Sequence, residues 1–551
     1  MKKRWWGLDP VGVLVGGIPL ALSLTPSLLP RPAALQGLGS GVVFCIGYAG
    51  GLAISAVAGR MTTWRPSSAQ RRRLRRVGWP TFAVVMAAAA VGGVASQNEV
   101  RRMVEMAPLD GVNVLGFGVA LLGTSVAGIG LGRLIRGGWR RQLDRMVRDG
   151  RSPARARRVA TIRSTIGTAL TVSFLAGIAY VALDRIYLGL NGQPTPGLAA
   201  PDGAYRSGGT GSEVVFTELG RTGANFVTSA PTPEEISKLT GKPAMTPIRV
   251  YVGIAAGGTL AERVATAVRE LERTGAFDRE VLVVAATTGT GWVEPQAVDA
   301  VEFLHSGNTA TVALQYAHTP SFVTALTAPD KPDETSAALF SAVRAKWLTL
   351  PEDDRPQLVA YGLSLGAQAT MNSFATLDGM LTRTEGVLLV GPTYATPLWH
   401  ELQNARDPGS PPWQPVRDGG VQVRWASRFG DFERLTGEWR TPRVAILQHA
   451  TDPITWLGAD LIWRRPEWLI EPNRAPDVSP SMRWIPLVTA VQVTIDMLVG
   501  TDVPARHGHN YGDVMLEGWV AVTGDDGLDY AALARIQHVI EGYAVIRPVQ
   551  A

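Results

Sequence analysis

The chain of 551 residues has one cysteine, Cys45, so it forms no internal disulfide and has no multi-cysteine zinc or iron–sulfur site. Charge is scarce. Asp, Glu, Lys and Arg make up 18% of the residues, against about 25% in an average soluble domain. Hydrophobic residues reach 46%, which excludes a globally disordered chain, because such chains lack the apolar surface that offsets ordering entropy. Phosphate-cradling signatures are also missing. The segment Gly253-Ile254-Ala255-Ala256-Gly257-Gly258 lacks the G-x-G-x-x-G spacing. The segment Thr287-Thr288-Gly289-Thr290-Gly291-Trp292 lacks a closing Gly-Lys-Ser/Thr. His507 and His509 could seed a metal site with Asp502, but two histidines without a third strong ligand are weak evidence for one. Neither a cofactor nor a metal is expected.

Where charge is missing altogether, the chain is apolar. Five stretches, roughly Val11–Leu29, Gly37–Ala58, Pro80–Ser96, Gly111–Gly132 and Ile166–Leu183, contain no Lys, Arg, Asp or Glu. Each is near the ~20 residues that a helix needs to cross ~30 Å of hydrocarbon. None shows a polar face at helical spacing. The prediction is an all-α transmembrane bundle of about five spans. Gly47, Gly50, Gly51 and Ala53 would let its helices approach closely.

Positive charge alternates between these stretches. Lys2, Lys3 and Arg4 precede the first, Arg60 to Arg76 follow the second, and Arg133 to Arg163 follow the fourth. The positive-inside rule then puts the N-terminus and both Arg-rich connections in the cytoplasm, and everything after Leu183 outside it. The net charge of +6 therefore reflects topology, and attraction to anionic lipid head groups, better than nucleic-acid binding. No nucleic-acid partner is expected, because the Arg clusters lack interleaved aromatics. A cleavable signal over residues 1–29 is disfavoured because Pro26 and Pro30 leave no small-x-small site. The predicted organisation is a transmembrane domain at 1–188, a Pro- and Gly-rich linker at 189–213 and a soluble domain at 214–551.

In that last domain short apolar runs alternate with helical patterns. Strands are expected at Ile248–Val252, Val281–Ala285, Thr311–Gln315, Gln357–Tyr361, Gly386–Val390, Val444–Gln448 and Trp484–Val488. Helices are expected at Leu260–Thr274, Glu294–His305, Glu334–Leu348 and Ala367–Leu377. Alternation of this kind predicts an α/β domain with a mostly parallel sheet flanked by helices.

Strand Gln357–Tyr361 runs into Gly362-Leu363-Ser364-Leu365-Gly366 and then a helix. This is G-x-S-x-G in its strand–turn–helix setting, where Gly362 and Gly366 permit the sharp turn that presents Ser364 as a nucleophile. A serine needs a base oriented by an acid, in the chain order Ser, Asp or Glu, His. Asp452, just past strand Val444–Gln448, is the expected acid, with Asp460 and Asp431 as alternates. The base is expected in Arg506-His507-Gly508-His509-Asn510-Tyr511-Gly512, where His509 is favoured and His507 competes. His449 could support the site, and His305, His318, His400 and His538 read as structural. Oxyanion donors are expected from the Leu365 N–H and from Thr288 or Gly289 after strand Val281–Ala285. Residues 392–440, rich in Pro, Gly and Trp, could form a cap over the site. The tryptophans at 413, 425, 439, 456, 463 and 468 could line an apolar pocket, rest on the membrane surface or pack in the core.

The chain resembles a family of bacterial membrane-anchored alpha/beta-hydrolases with an N-terminal multi-span domain. The resemblance rests on Arg206-Ser207-Gly208-Gly209, the run Glu270 to Arg279, Thr288-Gly289-Thr290-Gly291-Trp292-Val293, Tyr361 to Gly366 and His507 to Tyr511. Arg506 departs from it, standing where a small residue is expected. The resemblance implies an alpha/beta-hydrolase fold and a Ser364, Asp452 and histidine triad. The expectation is a serine esterase or lipase of the plasma membrane, with its catalytic domain extracytoplasmic and membrane lipids and an acyl-ester substrate as partners. An acyltransferase, or a transporter or envelope scaffold carrying a degenerate hydrolase domain, is the alternative.

Overall fold

The computed structural model describes residues 7–61, 67–525 and 527–546. The chain divides into two units. One comprises the residues up to Ala182 together with Ala459–Leu469 and Val478–Val499. The other comprises Leu183–Gly458, Ile470–Asp477 and the residues from Gly500 onward.

The first unit is helical: α1 (Pro10–Leu22), α2 (Ala33–Met61), α3 (Ser68–Met103), α4 (Val114–Arg148) and, up to Ala182, α5 (Pro153–Asn191). Four of these, α2 to α5, are long and apolar enough to cross a membrane. The first apolar stretch is not. Helix α1 has 13 residues, about 20 Å at 1.5 Å per residue. It stops at Ser23, whose hydroxyl turns back to the Leu20 carbonyl at 2.7 Å. Pro26, Pro30 and Pro32 then prevent the helix from resuming, because proline lacks an N–H and disfavours helical geometry in the residue before it. The expected span Val11–Leu29 is therefore a short helix followed by an irregular segment. Helix α1 packs along α2 through glycines: a Cβ on Gly51 would lie 2.7 Å from the Gly12 Cα. The Gly, Ala and Ser content of α2 serves this close approach.

The second unit is built on a parallel sheet of seven strands: β1 (Ile248–Val252), β2 (Val281–Ala286), β3 (Thr309–Leu314), β4 (Gln357–Leu363), β5 (Gly386–Val390), β6 (Val423–Ala426) and β7 (Arg443–Leu447). Their spatial order is β1-β3-β2-β4-β5-β7-β6. Nearly every strand residue is buried, as expected for a sheet covered on both faces. Right-handed crossovers decide which face each helix takes. The steps β1 to β2, β3 to β4 and β4 to β5 run one way across the sheet. Of their helices α6 (Leu260–Thr274), α8 (Asp330–Trp347) and α9 (Leu365–Phe374), α8 packs against both of the others. The step β2 to β3 runs back, and its helix α7 (Pro295–Leu304) packs with α11 (Met515–Thr523) and α12 (Tyr530–Ile546).

Two expectations need correction. Trp484–Val488 is not a strand. It leads into α10 (Val488–Met497), which belongs to the helical unit. And the sheet takes its edge strand, β6, from residues 392–440, the stretch expected to form a cap, with Trp425 buried in that strand.

Residues 206–213 are tied down by a buried carboxylate. Glu270 on α6 accepts from Ser207 Oγ (3.0 Å), Ser212 Oγ (2.9 Å) and the Glu213 N–H (2.8 Å), and Arg273 pairs with it at 2.8 Å. This bond set joins two of the stretches on which the family resemblance rests.

Candidate active site

The parallel sheet brings the ends of β4, β5 and β7 side by side, and the candidate residues follow those ends. Ser364 has φ 57° and ψ −119°, a region that residues with a Cβ rarely adopt. Its N–H donates to the Val390 carbonyl at 2.8 Å, which holds the turn against β5. The flanking glycines are sterically required. A Cβ on Gly362 would lie 2.3 Å from the Gly366 carbonyl oxygen, and one on Gly366 would lie 2.3 Å from that of Ala286. Ser364 Oγ has no hydrogen-bond partner among the described residues. The Leu365 N–H opens α9, where no helical carbonyl can accept it.

Asp452 follows β7 and is fully buried. Its Oδ1 accepts the Ile454 N–H at 2.9 Å. Its Oδ2 lies 2.7 Å from His509 Nδ1 and accepts the Tyr511 hydroxyl, also at 2.7 Å. A carboxylate has only acceptors, so Nδ1 carries the imidazole proton and Nε2 is left with its lone pair. That Nε2 is buried and has no partner among the described residues. Burial, reinforced by the adjacent Asp452, raises the Tyr511 hydroxyl well above its ordinary range, so it remains a donor.

Gly391 links serine and histidine. It follows Val390, the residue that accepts from Ser364. With φ 50° it leaves room for His509, since a Cβ there would lie 2.6 Å from the imidazole Cε1.

The histidine loop is braced from several sides. The Gly500 carbonyl accepts the His509 N–H at 2.6 Å. Thr451 Oγ1 accepts the Gly508 N–H at 2.9 Å. His449 reaches the Gly508 carbonyl (3.0 Å) and Asp513 (3.2 Å) through its two ring nitrogens, and stacks on Tyr511 at 4.1 Å. Burial alone would lower the His449 pKa, but Asp513 and its hydrogen bonds raise it overall. Arg506 adopts φ 82°, a backbone region that favours glycine, at the position where a small residue was expected.

His507 does not meet Asp452. Its Nδ1 is 3.9 Å from Asp477. Of the alternate acids, Asp431 accepts the Ser427 and Arg428 N–H groups, each at 2.8 Å, and Asp460 lies in the helical unit. His305 bonds Glu280 and Thr523, and His400 packs against Tyr394 and Trp399.

On the oxyanion side, the Thr288 N–H donates to the Trp292 carbonyl and the Gly289 N–H to Ser321 Oγ, each at 3.0 Å, so both are engaged. Thr287, the first residue after β2, has an N–H with no partner among the described residues, and its carbonyl borders Gly366. Sequence reading did not single out the Thr287 N–H or the bond from the Tyr511 hydroxyl to Asp452. The first was signalled by its place directly after the strand beside β4. The second was signalled by its place two residues beyond His509.

Residues 248–536, more than half of the chain, match an alpha/beta-hydrolase family, and residues 24–231 match the N-terminal region of the same family. No curated protein and no solved structure matches.

Proposed function

The chain belongs to the alpha/beta-hydrolase family, and on that premise we propose that it is a membrane-anchored serine hydrolase cleaving acyl esters. The carrying observation is the buried His509, with Nδ1 2.7 Å from Asp452 and Nε2 unpaired, behind the strained Ser364 turn. Ser364 Oγ attacks the ester carbonyl while His509 Nε2 takes its proton. Asp452 keeps the imidazole in the tautomer that can do so, and Tyr511 holds the carboxylate in place. The Leu365 and Thr287 N–H groups receive the negative charge of the tetrahedral intermediate. His509 returns the proton to the departing alkoxide, leaving an acyl-serine. Water, deprotonated by His509, attacks that ester, and collapse releases the carboxylic acid and free Ser364. Ser364 and His509 share no hydrogen bond, and such bonds often close only around substrate.

Four membrane-length helices support lipid or cell-envelope esters as substrates. The Arg-rich ends of α3, α4 and α5 support a cytoplasmic placement for those ends, and an extracytoplasmic one for the catalytic unit. Cysteines at Gly150 and Asp202, in a Cys45→Ser background, test this with a membrane-impermeant maleimide. Intact cells should label only Asp202→Cys, and labelling of Gly150→Cys instead would reverse the orientation.

The activity is tested by fluorophosphonate labelling of membranes. Wild type should be labelled, Ser364→Ala should not, and His509→Ala should lose labelling where His507→Ala retains it. An unlabelled, folded wild type refutes the proposal.

A further inference from the structure

His449 lies just past β7, is fully buried, and meets an acceptor at each ring nitrogen. Nδ1 is 3.0 Å from the Gly508 carbonyl oxygen, and Nε2 is 3.2 Å from Asp513 Oδ1. A carbonyl oxygen can only accept. Asp513 Oδ1 already accepts the Arg506 N–H at 3.1 Å, so it too faces the ring as an acceptor. A neutral imidazole has one N–H and can serve one of these two groups, whereas the imidazolium serves both. The buried Asp513 supplies the counter-charge. The ring also lies flat on Tyr511, with centroids 4.1 Å apart and planes 14° apart, which sets a cation over an aromatic face. Burial opposes the charged ring, but Asp513, the Gly508 bond and Asp452 outweigh it. The remaining acid that faces it is Asp477, which has Arg428 at 3.6 Å and His507 at 3.9 Å on its other sides.

Two connections lead from this ring to the candidate triad. The Gly508 carbonyl belongs to the same peptide group as the His509 N–H, which the Gly500 carbonyl accepts at 2.6 Å. The peptide that carries the Cα of His509 is therefore held at both polar ends. On the other side, the Tyr511 hydroxyl accepts the His449 N–H at 3.2 Å and donates to Asp452 at 2.7 Å. We infer that His449 is a positioning residue for the acid–base pair, doubly protonated so that it clamps the Gly508–His509 peptide, and that losing a proton there slows acyl transfer. This rests on the serine-hydrolase reading above. A neutral ring would leave one acceptor facing a lone pair. An N–H bonded to a carboxylate is the stronger of the two bonds, so Gly508 is the group that loses its donor and the peptide before His509 is released. A misplacement of ~1 Å at a reacting group costs about 100-fold in rate. The clamp exists while His449 is protonated and is lost as pH rises through its folded-state pKa. His509 must itself be neutral to act as base, so the rate should rise with pH and then fall.

The test uses the full chain in native membranes and has two readouts. Solid-state nitrogen NMR of histidine-labelled protein at pH 7 should show a ring with both nitrogens protonated, and His449→Gln should lack that signal. The fluorophosphonate labelling rate of wild type should fall at alkaline pH. Asp513→Asn removes the counter-charge, so the fall should move toward acid by about one pH unit or more, with the rate recovering as pH is lowered. His449→Gln should label about 100-fold more slowly and without that fall. A neutral His449 ring at pH 7, a wild-type rate with no alkaline fall, or an Asp513→Asn variant with the wild-type profile overturns the inference. An Asp513→Asn rate reduced equally at every pH also overturns it, since Asp513 would then only stabilise the fold. In each of these cases the hydrolase reading stands. If wild type is not labelled at all, the hydrolase reading itself has failed, whatever charge the spectrum shows on His449.

Discussion

Replacing Gly391 with alanine adds one methyl group, and the structure states what that methyl meets. It would lie 2.6 Å from His509 Cε1 and 2.9 Å from Nδ1. Carbon atoms settle near 3.5–4.0 Å, so about 1 Å has to be made up. The Gly391 N–H is held by the Leu447 carbonyl at 2.8 Å, which keeps its strand end in place. The imidazole, with its free Nε2 side, is the part that yields, moving off both Asp452 and Ser364. A displacement of ~1 Å costs about 100-fold. The backbone adds a separate cost of about 1 kcal/mol, because φ at Gly391 is 50°. Gly409→Ala is the control for that cost: its φ is 88°, and nothing lies within 4 Å of the added methyl. Fluorophosphonate labelling rates and thermal unfolding should be measured for both variants. The expectation is a similar small loss of stability in each and a loss of labelling confined to Gly391→Ala. Equal labelling of the two variants would mean that His509 is not the base, or that it works from a different position.

Two further predictions concern carboxyls away from the site. Burial, with Asp431 and Glu433 adding to it, lifts Glu517 to about 7 against an opposing hydrogen bond from the Gly430 N–H. A carboxyl raised in the folded state holds its proton after the unfolded chain has released it, so stability should fall as pH rises from about 4.3 to about 7. Glu517→Gln should remove that fall and stabilise the protein at pH 8 by on the order of 2 kcal/mol, allowing for partial exposure; an unchanged pH profile in denaturant titrations would refute this. Glu270 behaves in the opposite way. Burial pushes its pKa up, but Arg273, the Glu213 N–H and Ser212 outweigh burial and hold it below the ordinary carboxylate range. Its stabilisation is present above the unfolded pKa and is lost as pH falls through the folded one. Glu270→Gln should cost about 2–3 kcal/mol at pH 7 and flatten the acid limb, and a loss that is equal at pH 7 and pH 3 would count against it.

Helix α6 was legible because every local signal agreed: the Thr259–Glu262 capping box, the polar stripe and the left-handed Gly275 at its end. The Ser364 turn was legible for the same reason, as G-x-S-x-G between a strand and a helix. Strand β6 was hidden because its four residues sit among prolines, glycines and tryptophans, and its place beside β7 is set by tertiary pairing. The run from Trp484 was misread because short apolar runs do not distinguish strand from buried helix. Leu487, at φ 65°, starts α10 without the usual capping side chain. Which N–H groups of the loop after β2 are engaged depends on Trp292 and Ser321, and that is a property of the folded loop. Asp496, the one charged residue of α10, and Gln492 on the same face were the visible signs that this helix had a polar partner elsewhere.

Because residues 459–469 and 478–499 belong with the N-terminal helices, no single cut in the chain separates the two units. A truncation beginning after α5 would keep α10 and lose the surface that covers it, exposing Val491, Ile495 and an unpaired Asp496 to water. Such a fragment would be prone to aggregate. For the same reason the N-terminal region is a poor candidate for exchange between relatives by simple recombination. A hybrid would inherit a helix fitted to one bundle and ask it to fit another, so the two halves are expected to have changed together.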